Sequence, residues 1–196
     1  MNFHPISSDF FQQGTINLAK NLIGQYIVHQ HPSGLMVAKI IETEAYMGPE
    51  DRAAHSFGNR RTKRTEVMFG EAGLVYTYQM HTHTLMNIVS GPVGKPEAVL
   101  LRAGEPIEGL DLMQQFRGTT PMKNWTNGPG KLAKALGVGM SYYGHHWAEE
   151  PLFISPGPGC KELEIGPRVG IQNSGEAVHY PYRFSEKAHP MVSKYR

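Results

Sequence analysis

Cysteine is almost missing from this chain: Cys160 is the only one in 196 residues. A single thiol excludes an internal disulfide framework, a four-cysteine zinc site and a cysteine-held iron–sulfur cluster. Long hydrophobic runs are missing too. The most apolar stretch, Ile16 to Val28, is broken by Asn17, Lys20, Asn21, Gly24 and Gln25, so no membrane-spanning helix and no membrane partner are expected. The opening residues MNFHPISSDFF show no basic-then-apolar leader, which points to a reducing, cytoplasmic setting. Several chemical signatures are also absent. Gly128-Pro129-Gly130-Lys131 lacks the spacing of a phosphate-cradling P-loop, and no G-x-S-x-G nucleophile elbow occurs. The pairs His81/His83 and His145/His146 have no third ligand at a recognisable spacing, so neither a metal nor another cofactor is expected.

What is present suits one ordinary folded domain spanning residues 1–196. The chain is 40% hydrophobic and 18% charged, enough apolar surface to build a core. The net charge of +2 says little, but its distribution is uneven. Arg60, Arg61, Lys63 and Arg64 stand together without an acid, and Arg117, Lys123, Lys131 and Lys134 do the same. The last thirty residues add Arg168, Arg183, Lys187, Lys194 and Arg196 against Glu176 and Glu186. Such patches either hold a polyanion or are simply solvated faces.

Thr15 to Ile23 reads as a short helix capped by Thr15 and stopped by Gly24. Gln25–His31 and Leu35–Tyr46 read as strands joined at Pro32-Ser33-Gly34. Leu74–Met80 and Thr84–Ser90 form a second hairpin turning near His81 to His83. A strand at Glu97–Ala103 precedes helices at Pro106–Phe116 and Gly128–Leu136. Short strands at Leu152–Ser155, Val169–Gln172 and Tyr182–Ser185 lie between loops. Hairpins outnumber βαβ units, so the expected class is α+β: a mostly antiparallel, curved sheet flanked by short helices.

The segment Ile40-Ile41-Glu42-Thr43-Glu44-Ala45-Tyr46 carries the most chemistry. Strand residues two apart share a face, so Glu42, Glu44 and Tyr46 point one way and Ile41, Thr43 and Ala45 the other. Two carboxylates beside a phenol can do acid–base work on a ring held against that tyrosine. On spacing alone, a solvent-facing strand end accounts for them more simply. Pro49, Glu50 and Asp51 suit a first helical turn, with His55 near its end as either a structural or a functional imidazole.

Taken together the motifs resemble the alkyladenine (3-methyladenine) DNA glycosylase family, the type without a helix-hairpin-helix. They are Glu42-Thr43-Glu44-Ala45-Tyr46, Gly48-Pro49-Glu50-Asp51, Ala53-Ala54-His55-Ser56, Met68-Phe69, Met86-Asn87-Ile88, Val99-Leu100-Leu101-Arg102-Ala103, Gly128-Pro129-x-Lys131-Leu132, Arg168-Val169-Gly170 and Pro181-x-Arg183-Phe184. The likeness runs from about Asn17 to Ser193 in the family's order.

The resemblance implies excision of alkylated or deaminated purines, 3-methyladenine and hypoxanthine among them, from damaged double-stranded DNA in base excision repair. Glu44 would be the general base that activates water, helped by Arg102 and the Val169 carbonyl. Tyr46 and His55 would sandwich the flipped base, and Asn87 would filter it. The family's second hairpin enters the minor groove with an aromatic wedge. Here that segment is one residue shorter, which leaves Met80 or His81 at the tip. Arg60, Arg61, Lys63, Arg64 and Lys131 are the expected phosphate contacts. No lysine matches the catalytic position, so the expected enzyme is monofunctional, works as a monomer, and meets the nucleoid only through DNA. The alternative is a damaged-DNA-binding protein without turnover.

Overall fold

The computed structural model describes residues 2–193; Lys194 and Arg196 of the basic C-terminal stretch lie outside the described residues. The organising element is β2 (Gly34–Tyr46), a thirteen-residue strand. Its first half pairs with β1 (Tyr26–His31) across a tight turn at Pro32-Ser33, with His31 opposite Gly34. Its second half leaves β1 and pairs with β8 (Arg183–Glu186), Glu42 opposite Ser185 and Glu44 opposite Arg183. Along the other edge β2 pairs with β5 (Ala98–Glu108) over nearly its full length. The hairpin of β3 (Val75–Met80) and β4 (His83–Val89) docks on β5, β6 (Leu152–Ser155) docks on β1, and β7 (Leu163–Gly166) pairs with β8. The eight strands form one sheet, and every pairing between them is antiparallel. Three short helices, α1 (Thr15–Asn21), α2 (Leu110–Arg117) and α3 (Pro129–Ala135), complete the α+β class expected from the sequence.

A bulge at Ile41 decides which way β2 faces. The β2–β5 register runs Ile40–Gly104, Glu42–Ala103, Thr43–Leu101, so Ile41 on one strand and Arg102 on the other are extra residues. A bulge shifts the alternation of the residues that follow. Before it, Met36, Ala38 and Ile40 belong to the main core with Leu18, Ile27 and Trp147. After it, Ala45 belongs to that core and Thr43 reaches α1, its hydroxyl donating to the Ala19 carbonyl at 2.8 Å. Glu42, Glu44 and Tyr46 are thereby turned to the opposite face. An uninterrupted period of two from Met36 would have driven both carboxylates into the aliphatic core.

Four local readings are corrected. Gly14, not Thr15, precedes α1, and the Thr15 hydroxyl instead bonds Ser90 Oγ at 2.9 Å and the Glu97 carboxylate. Residues 106–108 extend β5 and are not helical. The helix starts only after Gly109, whose φ of +77° and contact with the Leu35 carbonyl leave no room for a Cβ. Val169–Gln172 is a loop, since Gly170 sits at φ +83°. β7 fell in a stretch read as loop. No helix among the described residues is long and apolar enough to cross a membrane.

Candidate active site

Glu42 and Glu44 are both fully buried, which overturns the solvent-facing account of this strand end. A buried carboxylate must find partners or lose its charge, and the two find different ones. Glu44 Oε1 accepts the Val169 amide N–H at 2.7 Å, and its Oε2 accepts the Tyr46 hydroxyl at 2.9 Å. Its cation is Arg102, with Nη1 3.5 Å from Oε1. Glu42 takes the closer arginine contacts: Arg102 Nε at 3.2 Å and Arg183 Nη1 at 3.0 Å, with the Ser193 amide at 2.9 Å. Burial therefore wins at Glu44 and raises its pKa above the ordinary value, against the opposing pull of Arg102, the Val169 amide and Tyr46. The same burial, reinforced by the Glu44 charge, pushes the Tyr46 phenol well above its ordinary value, so it remains a donor.

Tyr46, Arg102 and Val169, the three partners of Glu44, all line a cavity of about 420 Å³. That size falls in the usual range for small-ligand sites. Its other walls include His55, Tyr76, Tyr78 and Asn87. Glu44 thus lies just beneath the cavity wall, and Oε2, which accepts the Tyr46 hydroxyl, keeps a second lone-pair direction. His55 Nδ1 pairs with the Tyr76 hydroxyl at 2.8 Å, and its ring meets Tyr78 edge-on at 4.5 Å. Burial, helped by the fields of Arg64 and Arg60, lowers the His55 pKa to about 4, so the imidazole is neutral at physiological pH. Asn87 donates its amide to the Tyr76 carbonyl at 2.9 Å, which fixes the side chain against the cavity.

The loop carrying Val169 is held from behind. Arg168 is buried and makes a two-pronged pair with Asp51, at 2.5 and 2.8 Å, while donating to the Ala45 carbonyl at 2.9 Å. Its guanidinium also stacks on Tyr46, 4.7 Å from the ring centre. Sequence reasoning counted Arg168 and Arg183 among basic surface residues. Their buried acids, Asp51 and Glu42, are far away in sequence, and only the matching Pro49-Glu50-Asp51 and Arg168-Val169-Gly170 motifs hinted at a link.

At the mouth of the cavity the hairpin turns in two residues, His81 and Thr82, with Met80 opposite His83. His81 holds a left-handed φ of +53°, uncommon for a residue with a side chain. Met80 lines the cavity yet is 50% exposed, a placement wasteful for an apolar side chain in water. Arg60, Lys63 and Arg64 are exposed, and Arg60 and Arg64 stand close enough to the cavity for their fields to reach His55. Arg61 is committed elsewhere, in a two-pronged pair with Glu66 at 2.6 and 3.0 Å. Lys131 donates to Asn127 at 2.8 Å at the start of α3, where Pro129 also lines the cavity. Among the described residues no three His, Cys, Asp or Glu side chains come together as a metal cluster. His145 and His146 instead hold backbone carbonyls of their own and neighbouring loops.

If Glu44 acts as a base, the pH dependence has a definite sign. A base works only when ionised, so activity should fall as pH drops through the raised Glu44 pKa. The acid limb is expected above the ordinary carboxylate value of 4.5. His55, which titrates near 4, should add nothing above that limb. A pH–rate profile of single-turnover reactions checks both statements.

Residues 9–190 match a protein family described as methylpurine-DNA glycosylase. A relative from Bacillus licheniformis, provisionally named 3-methyladenine DNA glycosylase, is 53% identical over 97% of this chain and 97% of its own. One from Bacillus subtilis with the same provisional name is 52% identical over the same shares. A third, from Listeria monocytogenes, is 45% identical over 97% of this chain and 93% of its own.

Proposed function

The chain belongs to the methylpurine-DNA glycosylase family, and on that premise we propose that it excises damaged purines, 3-methyladenine and hypoxanthine included, from duplex DNA by a water-dependent cut of the N-glycosidic bond. A stacked base cannot reach an enclosed cavity, so the nucleotide must be flipped out at a cost of a few kcal/mol, least for a damaged pair. The extruded purine would lie between Tyr46 and His55, with Asn87 rejecting bases that carry an extra exocyclic group. Met80 would enter the space left in the duplex. An apolar side chain half exposed at the mouth of the cavity suits that task better than the polar tip residue His81. Water then attacks C1′ of the sugar and gives its proton to Glu44, and the purine leaves with the electrons of the C–N bond. It leaves as a neutral base where alkylation had made it cationic, and with a proton taken up from water where, like hypoxanthine, it was neutral. Positive charge develops on the sugar, which the nearby carboxylate also stabilises.

The observation that carries this reading is the buried Glu44 carboxylate. It is wired to three groups that all line an aromatic cavity, with its basicity raised by burial. The test is release of free base, with EDTA present, from duplexes carrying one hypoxanthine or one ethenoadenine and from alkylated DNA. Free base with an intact abasic strand is the expected result. Binding without release would overturn the reading in favour of a damage-binding protein.

Phosphate contacts by Arg60, Lys63, Arg64 and Lys131 add a salt prediction. Four neutralised phosphates lower affinity about a hundredfold between about 50 and about 200 mM salt. Replacing Arg60 or Arg64 by Ala should reduce the slope of log affinity against log salt by about one each. Arg61→Ala should change it less, because Glu66 already neutralises that charge. Fluorescence anisotropy across a salt series measures all three.

A further inference from the structure

Glu42 takes no part in the chemistry proposed above, yet it is as deeply buried as Glu44 and holds more cationic contacts. The Arg102 guanidinium lies between the two carboxylates. It is 3.2 Å from Glu42 through Nε, but 3.5 Å from Glu44 through Nη1. Glu42 is itself fixed from two other directions, by Arg183 on β8 and by the backbone amide of Ser193. We propose that Glu42 is a positioning residue that draws the Arg102 guanidinium toward itself and so denies Glu44 the close, two-pronged arginine pair that would quench it as a base. The inference rests on the glycosylase reading only for its consequence in catalysis, not for its geometry.

The physical argument is a competition for one cation. An arginine free to choose a buried carboxylate forms two parallel hydrogen bonds with it, as Arg168 does with Asp51 in the same protein. A full pair of that kind lowers a carboxylate pKa by about one to three units. Glu44 escapes it because Arg102 enters at the bulge on β5, where Glu42 stands one step closer along β2. The other groups facing Glu44 do not offer a substitute cation at contact distance. Tyr46 on β2 and Val169 in the loop donate neutral hydrogen bonds. Tyr78 on β3 is a neutral phenol, and Arg168 acts on Glu44 through its field, with Nη1 and Nη2 held by Asp51 and by the Ala45 and Ala177 carbonyls. The Glu42 charge works in the same direction, since a neighbouring anion raises the proton affinity of Glu44.

The test is the titration of the Glu44 carboxyl carbon by NMR in the free full-length protein, wild type against Glu42→Gln, alongside the pH–rate profile of base release. With Glu42 neutral, Arg102 is expected to close on Glu44, and its titration should move down by about one unit. The acid limb of base release should follow it. The rate at neutral pH should fall about threefold, as the Brønsted relation gives for a base one unit weaker. An unmoved Glu44 titration in a folded Glu42→Gln protein would overturn the proposal and leave Glu42 a structural anion. Should Glu42→Gln fail to fold, Glu42→Asp serves: it keeps the charge but withdraws it from Arg102, and a downward shift of smaller size is expected. No shift there would equally overturn it. Failure of the wild type to release base would sink the glycosylase reading alone, because the NMR titration does not depend on turnover.

Discussion

Glu44→Gln is expected to lose base release by about 10²–10⁴-fold or more while still binding damaged duplex and melting no lower than the wild type at neutral pH. The first part follows from the proposed chemistry, since an amide cannot take a proton from water. The second follows from the surroundings. Gln at this position keeps an oxygen for the Val169 amide and can donate its nitrogen to the Tyr46 oxygen, so both hydrogen bonds persist with one reversed. Nothing on the cavity wall is displaced, so a flipped base should still be accepted.

The stability part needs its sign worked out. Burial raises the Glu44 pKa in the folded chain above its unfolded value of 4.5. A carboxylate whose folded pKa is raised costs stability when ionised. That cost is fully present above the folded pKa, shrinks as pH falls through it, and is gone below the unfolded value. Removing the charge should therefore raise the melting temperature at pH 7, and the gain should vanish near pH 4. Thermal melts of both proteins across this range read it directly. A variant that melts lower than wild type at neutral pH would mean that Arg102 depends on Glu44 for its countercharge, and the burial argument would fail. Loss of activity with a gain in stability is the expected pattern for a charge kept for chemistry.

Much of this site could be seen in the sequence, and the reasons for the remainder are specific. Glu44 and Tyr46 share a face because alternation holds within residues 42–46. The period-two rule needed no tertiary information there. The bulge at Ile41 was invisible, because no glycine marks it and two isoleucines suit either face. Without the bulge, local reasoning could not tell that β2 swaps faces midway. The burial of Glu42 and Glu44 was misjudged for a related reason. Carboxylates at the end of a strand look solvated until their arginines are found, and Arg102 and Arg183 come from distant strands. Arg168 shows the converse error: a residue counted toward a basic surface is a buried cation paired with Asp51. Val169–Gln172 reads as a short strand in the sequence, but the Val169 amide is spent on Glu44 rather than on a ladder. Backbone groups diverted to a site carry no compositional signature.

Arg168→Met should be the most destabilising single substitution near the site. The change leaves Asp51, 1% exposed, without its cation, and losing one partner of a buried pair typically costs about 3–5 kcal/mol. For a chain of this size that is a drop of about 6–20 °C in melting temperature. Asp51 keeps the amides of Met47 and Ala53 at 3.0 Å each, which softens the loss without replacing the charge. Adding Asp51→Asn should recover part of it, because a neutral amide beside a methionine leaves no buried charge unpaired. The double variant should therefore melt above Arg168→Met alone. Function separates the two roles of this arginine. Arg168 also stacks on Tyr46 and precedes Val169. The stability regained by the double variant should thus not restore base release, measured well below both melting temperatures. Equal recovery of stability and rate would show that Arg168 serves only to neutralise Asp51. Recovery of stability alone would show that its side chain also sets the Val169 amide and the Tyr46 ring against Glu44.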